Sequence, residues 1–333
     1  MEARWLDYKS TLLAKYGTTV YRIGVDGGFS CPNRDPSRGG GCVYCDAKGS
    51  SAAYQRKDES SYKRSSSCFV PDIDRITAIS APQTLDERKQ SIIRQIAQGG
   101  EFIDKRYPGA SKSIYFQAFT STFDSPETLR QLYDCALSTG SYRELIVSTR
   151  PDCLSEEVVS LLASYRGKVE TVWVELGLQS GNDDTLAWIG RGHTVDDFIQ
   201  ACARSHSGGL QVSAHVILGL PGESYSHIER TARVITSVHP QAIKIHNLHV
   251  VAGTRLYDAY LRGELSIASR QRHISETIHL LRRIPGDIAI QRFISDTPMH
   301  RLAAPRHFGD KGVFVRQLLA QMELQDVRQG DSL

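Results

Sequence analysis

From residue 84 to residue 247 the chain alternates helix and strand, and that rhythm leaves few folds open. The hydrophobic pattern predicts helix 84–98 before strand 112–118, helix 126–138 before strand 144–148, and helix 155–165 before strand 169–178. Helices 182–188 and 194–206 precede strand 210–218, and helix 223–238 precedes strand 242–247. With a first strand at 18–25 this makes six β/α units. Such alternation calls for a parallel sheet covered by helices. A partial barrel and an open doubly wound sheet both satisfy it, and spacing alone does not choose. Ahead of the first strand, Trp5, Leu6, Leu12 and Leu13 share one face of a helix over 3–16. Residues 253–333 break the rhythm, with helices 254–262 and 269–283, a strand near 287–294, a loop carrying His300 and His307, and a last helix 313–323. They read as a C-terminal extension rather than another barrel unit. The expected division is therefore a barrel over 1–252 and an extension over 253–333, a candidate substrate-binding region. Residues 51–83 are polar, serine-rich and weakly patterned, and read as a surface insertion or lid.

Between the first strand and that insertion lies DGGFSCPNRDPSRGGGCVYCDAKGS, a loop dense in Gly, Pro, Asn and Ser. It carries Cys31, Cys42 and Cys45 in a C-x10-C-x2-C pattern, while Cys68, Cys135, Cys153 and Cys202 are scattered. The scattered cysteines read mostly as small buried hydrophobes. An odd cysteine number at uneven spacing does not suggest a disulfide framework. In parallel α/β folds ligands bind beyond the carboxyl ends of strands, so the loop is placed for a site. Two metals fit. A structural zinc needs four ligands, with Cys68 a distant fourth. A [4Fe–4S] cluster held by three thiolates leaves one iron open, which suits catalysis.

Net charge is +3, which neither demands nor excludes nucleic acid. From Arg262 to Arg316 nine arginines and one lysine face five acids, so this stretch could meet phosphates or be a solvated surface. No apolar run approaches a membrane span. The N-terminus lacks a signal-peptide pattern, so a cytoplasmic location is expected.

The loop DGGFSCPNRD…GGGCVYCD strongly resembles radical S-adenosylmethionine (SAM) proteins of the YhcC/YtqA type, and is similar to the radical SAM domain of the Elongator catalytic subunit. YFQAFTSTF (115–123), VSTRPDCLSEE (147–157), VWVELGLQSGNDDTLAWIGRGHT (172–194), HVILGLPGES (215–224) and IKIHNLHVVAGTRLYDAYLRGEL (243–265) follow in matching order. The resemblance covers roughly 18–60 and 84–310. It implies a partial (β/α)6 TIM-like radical SAM barrel with an N-terminal helix and a C-terminal helical extension. It also implies a [4Fe–4S] cluster on Cys31, Cys42 and Cys45, SAM on the open iron, and reductive cleavage of SAM to a 5′-deoxyadenosyl radical.

Further residues follow from that resemblance. Tyr44 takes the place of an aromatic near the adenine, or else packs the loop. Gln117 stands where related enzymes carry a Gly-Gly-Glu motif, a departure that leaves it a SAM contact or a supporting residue. Arg150, at a strand's carboxyl end, could fork onto the SAM carboxylate, or pair with Asp152 or Glu156. Gln179 resembles a ribose contact, and Glu175 shares its face, as a second contact or an anchor for an arginine. Val250 belongs to a stretch that packs the adenine. Arg191, His193, His215, Lys244, His246, His249 and Arg306 are candidate substrate contacts, with structural polar pairing the alternative; Thr194 reads as a helix N-cap. The implied activity is modification of tRNA wobble uridine at its carboxymethylaminomethyl side chain. An electron donor such as flavodoxin or ferredoxin is the implied partner, with no membrane. No acetyltransferase domain is expected after the barrel. The alternatives are a radical SAM enzyme acting on a small metabolite, and a non-catalytic zinc-stabilised RNA-binding module.

Overall fold

In a computed structural model of the chain, residues 3–34, 40–45, 83–306 and 308–333 are described. The insertion expected over 51–83 falls outside them apart from Gln83, as do Cys68 and His307. The elements in chain order are α1 (Tyr8–Tyr16), β1 (Val20–Val25), α2 (Leu85–Arg106), β2 (Ser111–Phe116), α3 (Pro126–Leu137), β3 (Glu144–Thr149), α4 (Glu156–Ala163), β4 (Thr171–Gln179), α5 (Asp183–Trp188) and α6 (Val195–Ser207). Then follow β5 (Gln211–Leu218), α7 (Tyr225–Val238), β6 (Ala242–Asn247), β7 (Val250–Val251), α8 (Arg255–Leu261), α9 (Arg270–Leu281), β8 (Ala289–Arg292), β9 (Leu302–Ala304) and α10 (Lys311–Leu324).

Local chemistry explains the helix starts. Thr84 and Glu87 form a capping box on α2, which turns Ile92, Ile96 and Ile103 inward. Ser125 caps α3, with Pro126 in its first turn. Thr194 caps α6 as expected, in a box with Asp197.

Seven strands form one parallel sheet in the order β1-β2-β3-β4-β5-β6-β8. The six expected units are present. The extension differs from expectation: its strand β8 joins the sheet beside β6 instead of standing apart. Two apolar residues, Ala289 and Ile290, followed by Gln291 and Arg292 are too brief a pattern to show this in sequence. The extension's helix α9 packs on α7 and β5, and α10 packs on α9.

Strand alternation divides the sheet into two faces. Val172, Val174, Leu176 and Leu178 of β4 face the helices within the main core. Trp173, with Tyr115, Ile146 and Ala242, lines the opposite face, where Tyr8 and Leu12 of α1 pack. That face is curled. On a flat sheet β2 and β6 would lie roughly 19 Å apart at the ~4.8 Å strand spacing. Yet Lys244 Nζ on β6 donates to Tyr115 Oη on β2 at 3.1 Å. The concave face is thus the lumen of a half-barrel. At its base α1 contacts both β1 and β8, and Tyr8 meets Trp173 edge to face at 5.8 Å. Among the described residues no helix is long and apolar enough to cross a membrane.

Candidate active site

The cysteine loop lies directly after β1 and is anchored by backbone contacts. Arg34 N–H donates to the Cys31 carbonyl at 3.0 Å, and Cys45 N–H to the Cys42 carbonyl at 3.1 Å, closing the C-x2-C segment into a turn. Val43 N–H donates to Ile189 O, Leu256 N–H to Val43 O, and Arg255 to Gly41 O. The segment after α5 and the start of α8 therefore hold the loop from both sides. Gly41, at φ 101°, has a backbone conformation that side chains disfavour, which the glycine run permits.

Cys42 is buried and receives two donors. Asn33 Nδ2 lies 3.5 Å and Arg191 Nη1 3.6 Å from its sulfur. Burial raises the pKa of this thiol, but Arg191, Arg150 and Asn33 together leave it below its ordinary value. Cys45 is pushed up to about 11, by burial and then by Cys42. Iron supplies the positive charge that favours thiolate ligands in such a loop. Soft thiolate donors and one arginine-stabilised sulfur fit an iron–sulfur cluster. Among the described residues no group of three His, Cys, Asp or Glu is arranged around a single metal ion. Of the scattered cysteines, Cys202 is buried, whereas Cys135 and Cys153 are only partly so.

Arg191 and His193, read from sequence as substrate candidates, stand on the cluster side. Arg191 donates through Nε to His193 Nε2 at 2.9 Å, through Nη1 to Cys42, and through Nη2 to Gly177 O at 3.2 Å. His193 is held neutral, near pKa 4, by burial and then by Arg191; its Nδ1 faces Thr194 O at 3.1 Å. Arg150 forks onto Asp152 at 2.9 and 3.0 Å and donates to Arg191 O at 2.7 Å. It is the Asp152 pairing named as the alternative, and it supports the Arg191 backbone.

A β-bulge interrupts β4 between Gly177 and Gln179, and Gln179 takes a φ of 71°. Its amide folds back over Gly177. A Cβ at Gly177 would lie 2.3 Å from Arg191 Nη2 and 2.5 Å from Gln179 Nε2. Gly177→Ala is therefore expected to displace Arg191 from Cys42. Reconstituted protein should bind markedly less iron, with a stability loss of about 1–3 kcal/mol. Iron content equal to that of the unaltered chain would contradict this account.

Glu175, fully buried in the mid-lumen, is the meeting point of several strands. It accepts from Arg22 of β1 at 2.7 Å, from His215 Nε2 of β5 at 3.1 Å, and from Lys244 of β6. Burial alone would raise its pKa, but Lys244, Arg22 and His215 hold it well below the ordinary carboxylate value. Burial pulls Lys244 well below its usual value against the field of Glu175. Arg22 and Tyr115 were not singled out from the sequence; strand alternation in VYRIGV and SKSIYF was the available signal.

Other candidates line the same region. Tyr44 and Val250 share a second apolar cluster with Ile217 and Leu248, and the Tyr44 hydroxyl is buried near Cys42. Gln117 Nε2 and His246 Nε2 are buried without partners among the described residues, a costly state that a bound polar molecule relieves. His246 lies 5.2 Å from the His215 ring. His249 Nδ1 faces Thr297 Oγ1 at 2.7 Å, and Arg306 is exposed in the loop after β9.

His215, His249 and His273 are each lowered to about 4, chiefly by burial. Above pH 6.5 they are neutral in both folded and unfolded chains. Below it the unfolded chain takes protons that the folded chain refuses, so stability falls from about pH 6.5 to about pH 4, by several kcal/mol in total at ~1.4 kcal/mol per unit. Melting temperatures measured from pH 7.5 to 4.5 should drop across that window; a flat profile would refute the assignment.

Residues 31–235 match the Radical SAM superfamily, and residues 240–323 match the Radical_SAM C-terminal domain. Escherichia coli YhcC is 31% identical over 297 residues, covering 88% of this chain and 84% of that protein. A tRNA uridine(34) acetyltransferase of Methanocaldococcus infernus is 31% identical over 157 residues, 46% of this chain and 29% of that protein. The solved structure of archaeal Methanocaldococcus infernus Elp3, with residues 1–46 deleted, superposes with a TM-score of 0.62 at 22% identity, over 72% of this chain and 60% of that one. That superposition shows a shared half-barrel fold. The matched family and the buried thiol loop lead to one conclusion, which removes the zinc-module alternative: the chain belongs to the radical SAM superfamily and is an enzyme whose cofactors are a [4Fe–4S] cluster and SAM.

Proposed function

We propose that this enzyme modifies the wobble uridine of tRNA, acting on its carboxymethylaminomethyl side chain. The observation that carries this reading is the 157-residue stretch shared with a tRNA uridine(34) acetyltransferase. The arginine-rich extension is consistent with a phosphate-bearing substrate.

When bound, the cluster and SAM supply a 5′-deoxyadenosyl radical able to take hydrogen from carbon. The chain's own residues do the rest. Cys31, Cys42 and Cys45 would hold the cluster, and Arg191, braced by Arg150 and His193, would favour the ionised Cys42 sulfur. Tyr44 and Val250 pack the adenine, and Gln117 and Gln179 offer polar contacts to SAM. Glu175 orders Arg22, His215 and Lys244, so that the lumen presents a fixed polar wall to the substrate. His246 and His249 line the substrate side, and Arg306 reaches RNA from the surface. Residues 1–252 supply the cofactor barrel and residues 253–333 the substrate face. A flavodoxin or ferredoxin delivers the electron.

Nucleoside mass spectrometry of tRNA from a strain lacking the gene provides the test. Carboxymethylaminomethyl uridine should accumulate, and the unaltered gene, but not a Cys42→Ala copy, should reverse it. An unchanged wobble-uridine profile would sink the tRNA reading.

A further inference from the structure

The lumen holds one cation more than its carboxylates engage. Glu175 is shared by Arg22, His215 and Lys244. Glu144, near the base, is taken by neutral donors: Ser113 at 3.1 Å, Trp173 Nε1 at 2.9 Å and Tyr16 at 3.2 Å. Arg292 remains. It stands at the end of β8, opposite Lys244 in the strand register, and its charge bears on Lys244, His215 and His246. Among the described residues it has no hydrogen-bond or ion-pair partner, and its Nε is buried. A guanidinium cannot discharge itself as a lysine can. On the same face, the Nε2 atoms of His246 and Gln291 are buried and, among the described residues, unpartnered too. Arg292 is half-buried, but these buried donors are costly to leave unsatisfied unless something arrives to use them.

We infer that Arg292 and His246 form a receptor for an anionic group of the substrate, a carboxylate or a phosphate. The guanidinium fork matches either oxyanion in two parallel hydrogen bonds, and neutral His246 adds an N–H donor from β6. Arg292 is thus a specificity-determining residue. This rests on the reading above only in taking the lumen as the place of the substrate. A carboxymethylaminomethyl group ends in such a carboxylate.

The test is calorimetric titration of full-length, cluster-loaded protein with SAM at saturation, so that the cofactor's own site is filled. The probes are N-methylglycine and inorganic phosphate. The protein should bind one of them saturably; preference for N-methylglycine assigns a carboxylate and preference for phosphate assigns a phosphate. Arg292→Gln should weaken that binding at least tenfold and His246→Asn less, while Arg292→Lys should retain part of it. Should Arg292→Gln fail to fold, as judged by melting and iron content, the Arg292→Lys and His246→Asn titrations decide. Absence of binding by the unaltered protein, or equal affinity in the variants, overturns the proposal. No RNA enters this titration, so its failure is distinct from failure of the tRNA reading.

Discussion

Replacing Cys42 with alanine is expected to abolish both cluster assembly and SAM cleavage. The sulfur of Cys42 is contacted by the Arg191 guanidinium, which favours its ionised form. Its loss removes a ligand and also leaves Arg191 facing an alanine with no charge to meet. After anaerobic reconstitution the unaltered protein should carry about four irons and a broad brown absorption band. The variant should show neither, and should release no 5′-deoxyadenosine from SAM. The melting temperature of cluster-free protein should change little, because Cys42 lies in the loop after β1 rather than in a strand, and alanine keeps its Cβ. A variant that retained the band and the cleavage would remove Cys42 from the ligand set.

The second large effect is expected at Glu175. Substituting glutamine leaves Arg22 and Lys244 buried without their carboxylate, and breaking a buried pair in this way costs about 3–5 kcal/mol. Lys244 can shed its proton and lessen the loss, since burial already depresses its pKa; Arg22 cannot. Glu175→Gln should therefore lower the melting temperature by roughly 10 °C. A Glu175→Gln, Lys244→Met pair should recover part of that loss, because it removes one of the orphaned cations. A single variant as stable as the parent would show that the network contributes nothing. The native pairing also has a pH signature. A carboxylate held below its ordinary value adds stability above about pH 4.5, and that stability is lost as the pH falls through the folded-state value. The histidines act in the same direction at higher pH, so acid sensitivity should begin near pH 6.5 and deepen below 4.5.

Much of the scaffold was legible because it is local. Capping residues such as Thr84 and Thr194 act over one turn of helix, and the two-residue period of VWVELGL follows from the pleat. The joining of β8 to the sheet was not legible. Four residues give no secure period, and their pairing with β6 depends on α9 packing against α7 and β5. The site divides similarly. The cysteine spacing announces a metal loop, and the matching strand-end motifs indicate where a cofactor belongs. In sequence Arg191 and His193 are merely neighbours of a helix cap, and nothing there shows that Arg191 contacts Cys42 and His193. The bulge and the bare Gly177 carry Arg191 to Cys42, and neither leaves a periodic trace.

By itself, then, the sequence determined the alternating strands and helices, the parallel sheet they require, and the trio of thiols after the first strand. Each depends on interactions between residues close in the chain. Tertiary structure alone decided which charges meet in the lumen. Arg22 reaches Glu175 across 153 positions and Lys244 reaches it across 69, and only the curl of the sheet brings their strands within range. The same curl sets Arg292 beside Lys244, while the nearby carboxylate of Glu175 is already shared by Arg22, His215 and Lys244.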